Sequence, residues 1–149
     1  DSHRFIDEGK DKKCVVGGVE FKDAPGLEAD SDGDVVFHAI CNAITSLTHV
    51  PILGQIAIDL CHKKNITDSR IYLEKALETL KGYKIEHVAL TIEGQRPRFQ
   101  KRAKEIRISV ANIMKVSIDQ VGITFTSGQE LTVFGKGMGL MCCCILSVT

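Results

Sequence analysis

Long apolar runs are missing from this 149-residue chain: none approaches the roughly twenty residues that a membrane-spanning helix needs, so a soluble protein is expected. Excess charge is missing too. Nineteen basic residues balance nineteen acidic ones, and a net charge of zero lacks the positive field of a general nucleic-acid binder. No secretory signal pattern stands before the first expected strand. The cysteines, Cys14, Cys41, Cys61 and the run Cys142 to Cys144, lack paired zinc-finger spacing and sit mostly among apolar residues. They read as reduced core thiols, which fits a reducing cytosol or organelle matrix. Three in a row on a strand must alternate between faces, which argues against a joint metal site. Familiar phosphate-binding fingerprints are also missing. Gly135-Lys136-Gly137-Met138-Gly139 precedes an apolar strand and not a helix, so it is neither a dinucleotide nor a Walker loop, although close backbone approach to a phosphate stays open.

What the chain does have is 44% hydrophobic residues over a length that suits one globular domain, residues 1–149, with a sizeable core. The stretch Asp30-Ser31-Asp32-Gly33-Asp34-Val35-Val36-Phe37-His38 organises it. Ser31, Asp32 and Asp34 are all good N-cap residues, and Val35, Val36, Ala39, Ile40, Ala43, Ile44 and Leu47 recur at helical spacing, which predicts a helix from about Asp34 to Thr48. His38 follows Asp34 by four residues on the same face, one turn from the positively polarised helix end, where a metal or an anion could be held. A packed core histidine is the competing reading. Asp30, Asp32 and Asp34 superficially match a calcium loop, but an EF-hand needs glycine and glutamate where this chain has Val35 and Cys41.

At the start, nothing around Asp1-Ser2-His3-Arg4-Phe5 resembles an initiation site, and upstream residues are expected to be missing. On an extended segment Asp1 and His3 project to one side, so a carboxylate and an imidazole converge there; a frayed polar terminus is the alternative. Cys14 to Phe21 predicts two short strands about Gly17-Gly18. Pro51 to Asn65 reads as a surface loop or a short helix. Asp68 or Thr67 caps a helix over Ile71 to Leu80 that ends at Gly82. Ile85 to Ile92 alternates as a strand, followed by the loop Glu93 to Arg98, which either holds a base or phosphate or is a solvated basic turn. A helix from about Phe99 to Met114, a capped turn at Ser117 to Gln120, a strand Val121 to Thr126 and a final strand Leu140 to Val148 complete the chain. Helices grouped against one small sheet make an α+β fold, a mixed sheet packed on one face by helices and hiding its other face in an oligomer.

The pieces Asp1-Ser2-His3-Arg4-Phe5, Val16-Gly17-Gly18-Val19, Ser31-Asp32-Gly33-Asp34 with His38-Ala39, Asp68-Ser69-Arg70, Lys81-Gly82-Tyr83 and Phe134-Gly135-Lys136-Gly137-Met138-Gly139 stand in an order and spacing that resembles the 2-C-methyl-D-erythritol 2,4-cyclodiphosphate synthase family over essentially the whole chain. The resemblance implies a homotrimer with its sheets toward the threefold axis and active sites between subunits. It implies zinc on Asp1, His3 and His38, with a second divalent cation, Mg2+ or Mn2+, bridging phosphates of a cytidylyl substrate. It places the substrate against Asp1, Ser2, His3, Asp30, Ser31, Gln55, Ile56 and Ala57. Gly94, Gln95, Arg96, Pro97, Arg98, Phe99 and Gln100 would form the cytidine pocket, and Thr126, Ser127, Gly128, Gln129, Val133 and Lys136 the phosphate side. Ser127 and Asp30 are the implied catalytic positions. Partners implied are a small nucleotide substrate and copies of the chain, with no nucleic acid and no membrane, in a bacterial cytoplasm or plastid-type organelle.

Departures from the family pattern keep alternatives open. Asp30 stands where a histidine is usual, and its carboxylate would repel phosphate unless protonated or paired. Gln129 replaces a glutamate with Glu130 adjacent, Lys136 replaces an arginine, and Gln55-Ile56-Ala57 replaces Asp-Ile-Gly. A weakened relative that still binds zinc, cytidine nucleotide or isoprenoid diphosphate is therefore the alternative function. An unrelated zinc hydrolase is a third, but no convincing general base beyond Asp30 is present.

Overall fold

The computed structural model describes residues 1–149. Three short strands come first, β1 (Ser2–Arg4), β2 (Cys14–Val16) and β3 (Val19–Phe21), followed by the helices α1 (Val35–Thr48), α2 (Ala57–Lys64) and α3 (Ser69–Leu77). Then come β4 (Ile85–Glu93), α4 (Ala103–Met114), β5 (Val121–Thr126) and β6 (Gly139–Val148). Four strands make a mixed sheet in the order β1-β6-β4-β5, with β4 and β5 parallel and the other pairs antiparallel; β2 and β3 form a separate hairpin.

Alternation along the strands decides where the helices lie. Val88, Leu90 and Ile92 of β4 and Leu140 and Cys142 of β6 point inward and are buried, while Thr91, Cys143 and Ile145 point outward. Helix α1 packs on the inner face against β6 and α3, and thirty buried apolar residues join in one cluster. The outer face stays open, with Ile145 still 71% exposed. As the sequence predicts, the three successive cysteines alternate: Cys142 is buried and Cys143 exposed.

Helix α1 begins as its cap chemistry dictates. Asp34 is the N-cap; its Oδ1 accepts from Val36 N (3.0 Å) and Phe37 N (3.2 Å), and the carboxylate also accepts from Gly17 N (2.8 Å) and Gly18 N (2.6 Å) in the β2–β3 turn. Both glycines have positive φ, 60° and 74°, which turns their amides toward that carboxylate. One fully buried acid thus ties the hairpin to the central helix.

Three expectations are corrected. The helix expected to run to Gly82 ends at Leu77, because Thr79 Oγ1 donates to Ala76 O (2.6 Å) and the chain leaves in turns. The Phe99 helix opens with a 3-10 turn, Phe99–Arg102, before α4. Pro51 to Asn65 is more ordered than a loop: an irregular wide turn, Ile52–Ile56, leads into α2, which has no side-chain cap.

Candidate metal centre

Strand β1 carries the first half of the site. It pairs with β6 through Ser2↔Met141, His3↔Leu140 and Arg4↔Gly139, and Asp1 exchanges backbone hydrogen bonds with Cys142 (2.8 and 2.9 Å). A side chain on Gly139 would collide with the His3 carbonyl, so the close approach of the two strands requires glycine there. Asp1 and His3 then project to one side, and His38, from the second turn of α1, meets them.

The distances fit a tetrahedral ion. Asp1 Oδ2 lies 3.0 Å from His3 Nε2 and 3.5 Å from His38 Nδ1, and the two ring nitrogens are 3.1 Å apart. Ligands held at about 2.0–2.1 Å from a tetrahedral centre stand about 3.3–3.4 Å from one another, so the three atoms mark one face of such a site. They are the chain's one group of three or more His, Cys, Asp or Glu with converging ligand atoms. His3 Nδ1 lies 3.0 Å from Glu28 O; a carbonyl only accepts, so Nδ1 carries the hydrogen and Nε2 keeps its lone pair toward Asp1 and His38.

Electrostatics agree. Burial, and after it the neighbouring His3 ring, push His38 down to about 4, and burial lowers His3 against the pull of the Glu28 carbonyl. Both imidazoles are neutral at neutral pH, the form that metal ligation requires. An unfolded chain takes up a proton on His38 near 6.5, whereas the folded metal-free protein resists until about 4. Stability of the metal-free protein is therefore full above the unfolded value and is lost as pH falls through this window. Melting temperatures of metal-stripped protein should drop between pH about 7 and about 4, and His38→Gln should flatten that slope.

The trio opens into a pocket of about 290 Å3 lined also by Ala29, Asp30, Ser31, Leu53, Ala57, Ile58, Cys61 and Tyr72. The loop before α1 is held there from behind: Lys12 Nζ donates to Ala29 O (2.8 Å) and Ser31 O (2.6 Å). From the front, Cys61 Sγ donates to Asp30 O (3.3 Å) and His62 Nε2 meets Asp30 Oδ2 (3.1 Å).

The sequence profile of the YgbB family matches residues 1–149. The chain belongs to that family. This YgbB-family chain is 52% identical over 149 residues to the 2-C-methyl-D-erythritol 2,4-cyclodiphosphate synthase of Chlamydia felis, covering 99% of itself and 85% of that relative. Its fold matches a 2C-methyl-D-erythritol-2,4-cyclodiphosphate synthase solved in a CDP-bound form, with a TM-score of 0.87 at 23% identity over 100% of this chain and 96% of that one. It also matches the bifunctional IspDF of Campylobacter jejuni, with a TM-score of 0.82 at 22% identity over 99% of this chain, which spans 39% of that longer one. At such identities the two structures establish the fold.

Other residues singled out from the sequence lie on separate surfaces of the YgbB-family chain. Gln55 and Ile56 fall beside the metal pocket and do not line it; Gln55 Nε2 donates to Asp59 Oδ1 (2.9 Å). Ser2, Arg96 and Val133 border a second pocket of about 550 Å3 beyond β1, and Gln95, Arg96 and Arg98 a third of about 1080 Å3 rich in basic side chains. The loops at the ends of β4 and β5 are joined by Gly94 N donating to Thr126 O (3.0 Å), and Phe99 stacks on Phe125 with centroids 5.1 Å apart. Ser127, Gln129 and Lys136 are exposed on that side, away from the metal pocket. Sequence reading missed Lys12, Cys61, Tyr72 and Ser69 as parts of the site. Only folding brings them to it, and no local spacing marks them.

Proposed function

We propose that this chain is a 2-C-methyl-D-erythritol 2,4-cyclodiphosphate synthase, a phosphorus-oxygen lyase of the non-mevalonate isoprenoid pathway. It converts 4-diphosphocytidyl-2-C-methyl-D-erythritol 2-phosphate to the 2,4-cyclodiphosphate and CMP. The observation that carries this reading is the Asp1–His3–His38 face, set for a four-coordinate ion with one position open, in a chain of this family. Residues 1–149 are read as one catalytic domain.

In the reaction an oxygen of the 2-phosphate attacks the β-phosphorus, and the bond from that phosphorus to the oxygen leading to the α-phosphorus breaks. CMP leaves with the electron pair. The nucleophile is already ionised, so no general base is needed and the protein's task is positioning and charge neutralisation. Asp1, His3 and His38 would hold Zn2+, which supplies Lewis acidity and a template at the diphosphate. The Gly94 to Gln100 loop receives the cytidine. Thr126, the Ser127 hydroxyl, Gly128 and the Lys136 ammonium face the phosphates, and Gln129 and Glu130 would hold a second divalent cation. Asp30, 73% exposed, is paired with His62, and a ring N–H donated to its carboxylate tempers the repulsion that carboxylate would exert on the substrate.

Metal site and nucleotide loops line different pockets of one chain, which supports a homotrimer in which neighbouring subunits complete each site, with the open sheet face and Ile145 turned to the threefold axis. Light scattering should give three times the mass of 16.3 kDa for this segment, and a fully active monomer would overturn the trimer. Gln129→Glu should lower the Mg2+ or Mn2+ concentration needed for half-maximal rate, because a carboxylate is the better hard-cation ligand. An unchanged titration would assign that task to Glu130 or water. Phosphorus NMR of the product decides the function itself: cyclic diphosphate with CMP is expected. A linear hydrolysis product would overturn it in favour of a hydrolase, and retained nucleotide binding without turnover in favour of a weakened relative.

A further inference from the structure

Behind His38, on the side away from Asp1 and His3, lies a chain of polar groups, buried at His38 and Ser69 and half-buried at Asp32. His38 Nε2 is 2.8 Å from Ser69 Oγ, and Ser69 Oγ bonds to Asp32 Oδ1 across a gap of 37 residues. Ser69 is fully buried as the first residue of α3, and its backbone N donates to Asp32 Oδ2 (3.1 Å). Asp32 Oδ1 also accepts from Asp34 N (3.1 Å).

Counting hydrogens fixes the direction of the chain. Both Asp32 oxygens already accept backbone N–H groups, so the carboxylate acts as an acceptor. Ser69 has one hydroxyl hydrogen, and it goes to Asp32. Ser69 can then only accept from His38, so His38 Nε2 carries the ring hydrogen. A neutral imidazole has one such hydrogen, which leaves Nδ1 with the lone pair that faces Asp1 and His3. Ser31 Oγ also lies near Nε2, at 3.3 Å, and accepts from Gly33 N (3.2 Å), but no carboxylate directs it.

We propose that Ser69 and Asp32 are positioning residues for the metal: a carboxylate–hydroxyl–imidazole relay that locks His38 in the tautomer and ring orientation able to ligate a divalent ion. This rests on His38 being a ligand, as proposed above. The relay plays the part that a carboxylate or carbonyl commonly plays behind a metal-bound histidine, with a serine inserted between them. It also couples the start of α3 to the start of α1, so three separate segments converge on one ring.

Asp32→Asn tests the direction of the chain. Each Asp32 oxygen also accepts a backbone N–H, so the amide must set its NH2 against either Asp34 N or Ser69 N; in the first orientation it donates to Ser69 Oγ, Ser69 donates to His38 Nε2, and the ring hydrogen moves to Nδ1, where the ion must bind. Nitrogen-15 NMR of the metal-free full chain should show His38 protonated on Nε2 alone in the native protein and a populated Nδ1-protonated form in Asp32→Asn. Competition with a chelator of known affinity should show Zn2+ and Co2+ binding weakened about 10–100-fold by Ser69→Ala and by Asp32→Asn. Ser69→Thr, which restores the hydroxyl, should recover most of the loss. The double variant should be little weaker than either single one, since both act through one ring. Thermal melts establish that each variant is folded. If Ser69→Ala unfolds, Ser69→Thr and Asp32→Asn still carry the test. Unchanged metal affinity together with an unchanged tautomer, in a protein whose metal is lost in His38→Ala, would overturn the relay alone. Metal retained at full stoichiometry in His38→Ala would overturn the ligand assignment instead.

Discussion

His38→Ala should abolish stoichiometric metal binding and lower turnover by about a thousandfold or more, while the fold survives. Alanine has no lone pair, and Asp1 with His3 alone makes an incomplete two-ligand site. Lewis-acid stabilisation worth several kcal/mol is lost with the ion, and each 1.4 kcal/mol is about a factor of ten in rate. Structural damage is smaller. His38 gives up its bond to Ser69 and its stacking on Tyr72, with centroids 6.3 Å apart, which should cost about 1–3 kcal/mol. Metal analysis and a melting curve on the same preparation separate the two readings. A histidine that merely packs the core would leave the metal in place and lower the melting temperature.

Asp34→Ala should destabilise the protein by about 4 kcal/mol, the largest stability change expected for a single polar side chain in this fold. Its carboxylate is the acceptor for four backbone amides, two from the Gly17-Gly18 turn and two from the first turn of α1, all of them in the interior except the half-buried Gly18 bond. An N-cap alone is worth about 1 kcal/mol, and each buried amide left without an acceptor costs about 1–3 kcal/mol more. Burial, and then the nearby Asp32, raise the Asp34 carboxyl to about 6, so at neutral pH the acid is ionised and the amides hold its charge. Against a total stability of about 5–15 kcal/mol the loss would leave the chain close to its threshold. Urea denaturation measures it. A loss below about 1 kcal/mol would show that water enters and satisfies the amides. Asp34→Asn, which keeps one carbonyl oxygen, should fall between the two.

Much of this was readable before any coordinates because local chemistry carried it. The run Ser31 to Asp34 announces a helix start, apolar residues at helical spacing place α1, and Gly17-Gly18 places the hairpin. The Asp1–His3 pair follows from strand alternation, although only the family resemblance joined it to His38. Helix α2 was not readable: it has no capping side chain, and its lysines and His62 blur the periodicity. The end of α3 was misplaced because Gly82, a good stop signal with φ of 86°, serves a turn five residues past Leu77. Asp30 read as a bare carboxylate; its partner His62 comes from a helix the sequence left ambiguous. Ser69 sits in a motif that marks the family, yet nothing in its neighbourhood of sequence says that it touches His38.

The pairing of β1 with β6 links metal affinity to strand order. Two of the three candidate ligand side chains ride on the strand at the edge of the sheet, which pairs with the Gly139 to Cys142 backbone. Such an edge opens locally far more often than the core does, and an ion that binds only the docked form works as a clasp on it. Gly139 and Cys142 contribute no ligand atom, but a change at either that loosens the edge would register as a faster metal off-rate. For this protein the exchange kinetics of an ion bound at the Asp1–His3–His38 face would thus be a gauge of how firmly the sheet's outermost strand is sewn on.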